Sequence, residues 1–148
     1  MTGGTMRISA IMQTDLVTTA PDAAVVDVAR LLTERRVGAC LVIQDGRLAG
    51  IFTERDLVRL MATGEDIRRL PVRRAMTTDV TFAHPDADLL WAAETMRRLG
   101  VRHLPVGEDG QPIGIISIRD LYAAAEAVLR LDPRGADTAR GVLAAASH

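Results

Sequence analysis

Apolar residues along the chain fall into short runs and helical stripes, in the same order twice. A β-type stretch at residues 16–19 stops at Pro21, and a second at 80–83 stops at Pro85. Each leads into a helical pattern, at 23–35 and 87–99. In the first of these, Val25, Val28, Ala29 and Leu32 share one face, as a period of 3.6 requires. Arg35-Arg36 and Arg97-Arg98 lie near the helix ends, where positive charge suits the dipole. Two apolar runs follow in each half, 39–43 with 48–52 and 103–106 with 113–116. Asp45-Gly46 and Asp109-Gly110 separate them. Asp-Gly between apolar runs predicts a tight hairpin, since glycine accepts positive φ. A second helix starts at Thr53 and at Ser117, running to about residue 63 and about residue 131. The order in each half is β-α-β-β-α, which predicts an α+β fold.

The two halves are an internal repeat. Residues 8–61 align with 72–125 at a constant offset of 64 without a gap, and 16 of the 54 positions are identical. Met12 matches Met76, Pro21-Asp22-Ala23 matches Pro85-Asp86-Ala87, Gly50-Ile51 matches Gly114-Ile115, and Arg55-Asp56-Leu57 matches Arg119-Asp120-Leu121. A period this long repeated only twice is not a solenoid. It predicts two similar halves packed by pseudo-twofold symmetry, an α/β sandwich. The expected division is a flexible N-terminus at 1–7, a first repeat at 8–63, a linker at 64–71, a second repeat at 72–131 and a tail at 132–148. Asp132-Pro133 ends the last repeat helix. The tail beyond it is rich in Ala and Gly, and is either disordered or a short helix around 139–146.

Composition narrows the function classes. Hydrophobic residues make up 48% of the 148 and aromatics only 3%, so the core is aliphatic. The net charge of −1 lacks the basic excess of a nucleic-acid binder. One cysteine, Cys40, excludes an internal disulfide and fits a reducing cytosol. The expected location is cytoplasmic. No apolar run is long enough to cross a bilayer, and the first residues are not a secretory signal. Three histidines and one cysteine show no metal-ligand spacing. There is no GxGxxG, Walker loop or nucleophile elbow, so the chain does not read as an enzyme.

The chemistry concentrates in Gly50-Ile-Phe-Thr53-Glu-Arg55-Asp56 and Gly114-Ile-Ile-Ser117-Ile-Arg119-Asp120, each where a strand meets a helix. Thr-x-x-Asp and Ser-x-x-Asp are variants of the capping box, and that structural role explains the hydroxyl and the acid by itself. A second role fits the same residues. A helix N-terminus offers N–H groups to a phosphate. Arg55 and Arg119 put a guanidinium in the first turn, which a cap does not need and a phosphate does. An Asp beside that place can accept both hydroxyls of a ribose diol. Glycine permits a close approach of the backbone. Phosphate donors with a diol acceptor point to a nucleotide.

The pattern Gly-h-x-(Ser/Thr)-x-x-Asp, set after a Val-x-x-(Leu-Pro)-Val strand and an Asp-Gly hairpin, resembles the cystathionine-β-synthase-type (CBS) domain family. The resemblance covers residues 8–131. It implies a tandem pair packed as one globule, a Bateman module, with two clefts between the repeats. Such clefts take AMP, ADP, ATP, S-adenosylmethionine or NAD-type ligands. It implies that Asp56 and Asp120 bind ribose and that Thr53 and Ser117 sit near ribose or phosphate. It also implies that backbone around Ala39-Cys40 and His103-Leu104 receives the adenine. The first half departs from the pattern, with Leu41 where the second has Pro105. The arginines favour AMP, ADP or ATP over S-adenosylmethionine, and no obligatory cofactor is implied. The expected function is a regulatory, ligand-sensing homodimer acting in trans on a protein partner. The alternative is an interaction or dimerisation module whose nucleotide site is vestigial.

Other residues carry two readings each. Cys40 is an inert core residue or a redox sensor. His103 lines a pocket or is a hydrogen-bonded, partly buried side chain, and His84 is an exposed loop residue. Trp91 replaces Asp27 of the first half; it is a contact surface for a second copy or a sign that the second half packs differently. The helix at Tyr122-Ala-Ala-Ala-Glu-Ala-Val-Leu has a small-residue face suited to another helix, from the same chain or a second subunit.

Overall fold

The computed structural model describes residues 6–131 and 133–147. Most of the lead-in expected at 1–7, together with positions 132 and 148 of the tail, lies outside the described residues. The fold is α+β. Its elements are β1 (Thr18–Thr19), α1 (Val25–Arg35), β2 (Ala39–Gln44), β3 (Arg47–Thr53), α2 (Glu54–Ala62), α3 (Leu89–Leu99), β4 (His103–Glu108), β5 (Gln111–Ser117), α4 (Ile118–Leu131) and α5 (Ala136–Ala146). Among the described residues, no helix is long and apolar enough to cross a membrane.

The chain forms two compact units. One is Asp15–Val80; the other joins the described residues of Met1–Thr14 to those of Thr81–His148. Both hairpins form as the Asp-Gly signal predicts. Asp45 and Asp109 have φ 53°, and Gly46 and Gly110 have φ 75°, so both turn residues are left-handed. A two-residue turn of that hand matches the twist of the strands it joins. The ladders run in equivalent register, Ala39 to Thr53 in one unit and His103 to Ser117 in the other.

The first strand differs between the repeats. In the Asp15–Val80 unit, β1 lies parallel to β2, and the Leu41 amide donates to the Val17 carbonyl at 2.9 Å. The stretch expected at 80–83 is not a strand; it is reduced to a single parallel bridge between Ala83 and Val106. The counterpart of Leu41 is Pro105, which has no N–H to give. That one missing donor removes the bond that would extend the pairing.

The helices bury the predicted faces. Val25, Val28 and Leu32 of α1 are buried against Phe52 and Val72. The two matched helices are capped differently. Asp88 caps α3 by accepting from the Trp91 amide at 2.8 Å, whereas Ala24 gives α1 no side-chain cap. At the other end, Gly100 takes the left-handed C-cap of α3 at φ 67°, and Arg36 takes the same conformation at φ 56°.

Each unit is completed by a segment that belongs by sequence to the other repeat. Met76 and Thr77 lie along Gly50 and Ile51, with paired backbone bonds of 2.9 Å between Ile51 and Thr77. Met12 and Gln13 lie along Gly114 and Ile115 in the same way, with bonds of 2.8 and 2.9 Å. The close approach that glycine permits at 50 and 114 is therefore taken by the protein's own chain.

The tail settles the two readings of α4. The small-residue face packs within the chain: Ala124 and Ala125 are buried with Ala139 and Val142 of α5. Nothing equivalent follows α2. None of its residues is buried, and Val58 and Met61 are 69% and 57% exposed. Met61 is the repeat counterpart of the buried Ala125.

Candidate functional site

The residues singled out in the sequence gather at one place in each unit, where the hairpin ends and the next helix starts. The strand pair closes with Ala39 opposite Thr53 and with His103 opposite Ser117. The ladder then takes one more bond. The amide of Glu54 donates to the Gly38 carbonyl at 3.0 Å, and that of Ile118 to the Arg102 carbonyl at 2.9 Å. The backbone proposed to receive a base is thereby fixed beside the first turn of α2 and of α4.

Both capping boxes are complete. Asp56 Oδ2 accepts from the Thr53 amide at 2.9 Å and from the Thr53 hydroxyl at 3.0 Å, while the Asp56 amide donates to that hydroxyl at 3.2 Å. The second copy agrees within about 0.1 Å: 2.8, 3.0 and 3.2 Å for Ser117 and Asp120. The structural role is therefore real in both repeats. It also consumes donors. The N-cap, first and third amides of each helix are engaged, which takes most of the N–H groups that a helix N-terminus would offer a phosphate. The cations of the same turn are the side chains of Arg55 and Arg119, both exposed.

The cap leaves the second carboxylate oxygen outside it. Asp56 Oδ1 stands 4.0 Å from an Arg59 guanidinium nitrogen, on a side chain only 12% exposed. Asp120 Oδ1 accepts from the Gln13 side-chain amide at 3.3 Å. A carboxylate has about four acceptor positions, so each Oδ1 keeps capacity for a hydroxyl pair. An anion held rigid by its own cap is suited to recognising a diol without reorganising.

The remaining predicted residues take backbone or edge roles. Ala39, Cys40 and Leu104 have buried side chains, so only their backbone can meet a ligand. His103 is half-buried. Burial pushes the Cys40 thiol up to about 11, and a thiol kept neutral is a poor nucleophile; the inert-core reading of Cys40 holds. His84 contacts Glu108 on the surface. Trp91 is 38% exposed near the start of α3. Among the described residues, no cluster of His, Cys, Asp or Glu could hold a metal ion. Gln13, Gly38 and Arg102 carry no motif of their own; the offset of 64 marks two of them, since it pairs Gly38 with Arg102, as it pairs Glu54 with Ile118.

The family model described as CBS domain matches residues 8–63 and 67–127. The CBS domain-containing protein YhcV of Bacillus subtilis is 32% identical over 111 residues, covering 74% of this chain and 79% of its own. The crystal structure of the CBS-domain containing protein ATU1752 from Agrobacterium tumefaciens has TM-score 0.76 at 35% identity, covering 80% of this chain and 98% of that one. The CBS domain protein PAE2072 from Pyrobaculum aerophilum, solved with AMP, has TM-score 0.72 at 29% identity, covering 78% and 90%.

Proposed function

The chain belongs to the CBS domain family, as a tandem pair, and from that premise we propose that it senses an adenine nucleotide and passes its state to a protein partner. The pair is a regulatory module rather than an enzyme. The observation that carries the ligand reading is the duplicated carboxylate, locked through Oδ2 by Thr53 or Ser117 and open at Oδ1 to a ribose diol. Arg55 or Arg119 in the same turn supplies the charge for a phosphate. The AMP complex of the Pyrobaculum aerophilum relative supports an adenine-bearing ligand. AMP, ADP and ATP are the favoured ligands, with S-adenosylmethionine behind them because it offers the arginines no phosphate. The reading places the module in the cytoplasm, where a lone thiol stays reduced.

The test is titration calorimetry with AMP. Saturable binding that is weakened by Arg119→Ala or Arg55→Ala supports the reading. Heats no larger than dilution for AMP, ADP, ATP and S-adenosylmethionine contradict it.

A second reading has its own observation. The exposed Val58 and Met61 on α2 occupy the position that α5 covers in the other repeat. Under this reading the face meets a second copy of the chain and the nucleotide site is vestigial. A dimer that binds no adenosyl ligand would select it.

A further inference from the structure

The two candidate sites share one geometry and differ in charge. Around the start of α2 stand Gly38, Glu54, Arg55 and Asp56. Around the start of α4, at the matched positions, stand Arg102, Ile118, Arg119 and Asp120. Their placement is equivalent, because the same backbone bond ties Glu54 to Gly38 and Ile118 to Arg102. One cation against two anions leaves the first group at −1. Two cations against one anion leave the second at +1.

Neighbours keep the same sense. Arg59 approaches Asp56 at 4.0 Å, and its counterpart is Ala123; counting it brings the first group to neutrality and leaves the second positive. Asp120 is met instead by the uncharged amide of Gln13. The helix leading toward Arg102 carries Arg97-Arg98 near its end, and the one leading toward Gly38 carries Glu34 followed by Arg35-Arg36, so the charge over the matched four positions is +2 against +1. Glu54, Arg102 and Arg119 are all exposed, so each can face a ligand.

Resting on the nucleotide reading above, we propose that the sites sort ligands by charge. The Ser117–Asp120 site takes the phosphorylated adenine nucleotide, with Arg102 and Arg119 on its phosphates. The Thr53–Asp56 site takes an adenosyl ligand without phosphate, because Glu54 repels each added negative charge. Arg102 and Glu54 are the residues that set the difference.

Titration calorimetry with adenosine and with ATP tests this on the full chain and on Arg102→Gly and Glu54→Ile. Each variant installs the other repeat's residue, and the backbone bonds at 38 and 102 survive both changes. Far-ultraviolet circular dichroism confirms folding. Arg102→Gly is expected to weaken ATP roughly tenfold, the worth of a charge-assisted bond, and adenosine by no more than about twofold. Glu54→Ile is expected to raise the ATP stoichiometry from one per chain toward two. Equal effects of Arg102→Gly on both ligands, no effect on ATP, or an unchanged stoichiometry in Glu54→Ile would overturn the sorting while adenosyl binding stands. Absence of binding by either ligand to the unaltered chain would overturn the nucleotide reading and the sorting with it.

Discussion

Gly50 packs so closely on Met76 that a Cβ added there would lie 2.6 Å from the thioether sulfur, and 2.7 Å from the Thr77 carbonyl oxygen. Gly114 and Met12 repeat the relationship: 2.6 Å to the sulfur, with the Gln13 carbonyl oxygen at 3.1 Å. These contacts hold the leading segment of each repeat on the body of the other. Overpacking of this kind costs about 1–3 kcal/mol. Gly50→Ala and Gly114→Ala should both lower the urea midpoint. The two differ in rescue. Shortening Met12 to Ala removes the main obstacle to Gly114→Ala, so that double variant should recover part of its loss. Shortening Met76 leaves the Thr77 carbonyl in place, so Gly50→Ala with Met76→Ala should recover little. Equal rescue in both would show that the side chain alone sets the fit.

Arg36 holds a left-handed backbone that Gly100 holds in the matched helix. A residue with a Cβ is disfavoured there by roughly 1 kcal/mol. Arg36→Gly should therefore raise stability by up to that amount, less the entropy glycine loses on folding. Thermal unfolding checks it; a lower melting temperature would mean that the Arg36 side chain contributes more than its backbone costs.

Cys40 makes the alkaline limb of stability readable. Its thiol is neutral in the core, with a pKa pushed from 9.0 to about 11 by burial. Below pH 9 the folded and unfolded chains both keep the proton. Between pH 9 and 11 only the unfolded chain releases it, so stability falls as pH rises. The loss reaches roughly 2 kcal/mol at pH 11, where the folded thiol is itself half ionised. The chain contains no lysine, which leaves this range otherwise sparse in titrations. Denaturant midpoints from pH 8 to 11 should slope downward in the unaltered protein and much less in Cys40→Ala.

Val58 and Met61 project from a helix with no fully buried residue, whose Leu57 and Leu60 pack partly against the core. If α2 meets a second copy, Val58→Asp with Met61→Asp should convert a dimer to a monomer in sedimentation velocity. The melting temperature extrapolated to low concentration should change little, since neither side chain is in the core. Trp91, the single tryptophan, reports whether α3 takes part through its emission wavelength. A sedimentation coefficient that does not respond would remove α2 from the assembly.

Much of the fold was legible because it is written locally and twice. Asp45-Gly46 and Asp109-Gly110 marked both hairpins, and Thr53/Asp56 with Ser117/Asp120 marked both helix starts. What stayed hidden depends on distant partners. The strand expected at 80–83 failed on the missing amide of Pro105, a residue some twenty positions away. Gly50 and Gly114 announced a close approach but not that Met76 and Met12 would make it. The cap and the proposed ligand role of Asp56 and Asp120 looked like alternatives in sequence; the cap takes one oxygen of each carboxylate and leaves the other outside it. The helix amides expected to serve a phosphate are mostly spent, a fact that only the backbone bonds to Gly38 and Arg102 reveal.

The most direct test of the central claim is a thermal-shift series with AMP, ADP, ATP and S-adenosylmethionine on the unaltered chain, Asp56→Ala and Asp120→Ala. Each protein is read against its own ligand-free melting temperature, because both variants also lose a cap worth about 1 kcal/mol. A ligand that binds only the native state must raise that temperature with concentration. The account predicts a rise with at least one phosphorylated nucleotide, lost in Asp120→Ala. A folded protein whose melting temperature ignores all four ligands, or a nucleotide shift that survives Asp120→Ala, would contradict it.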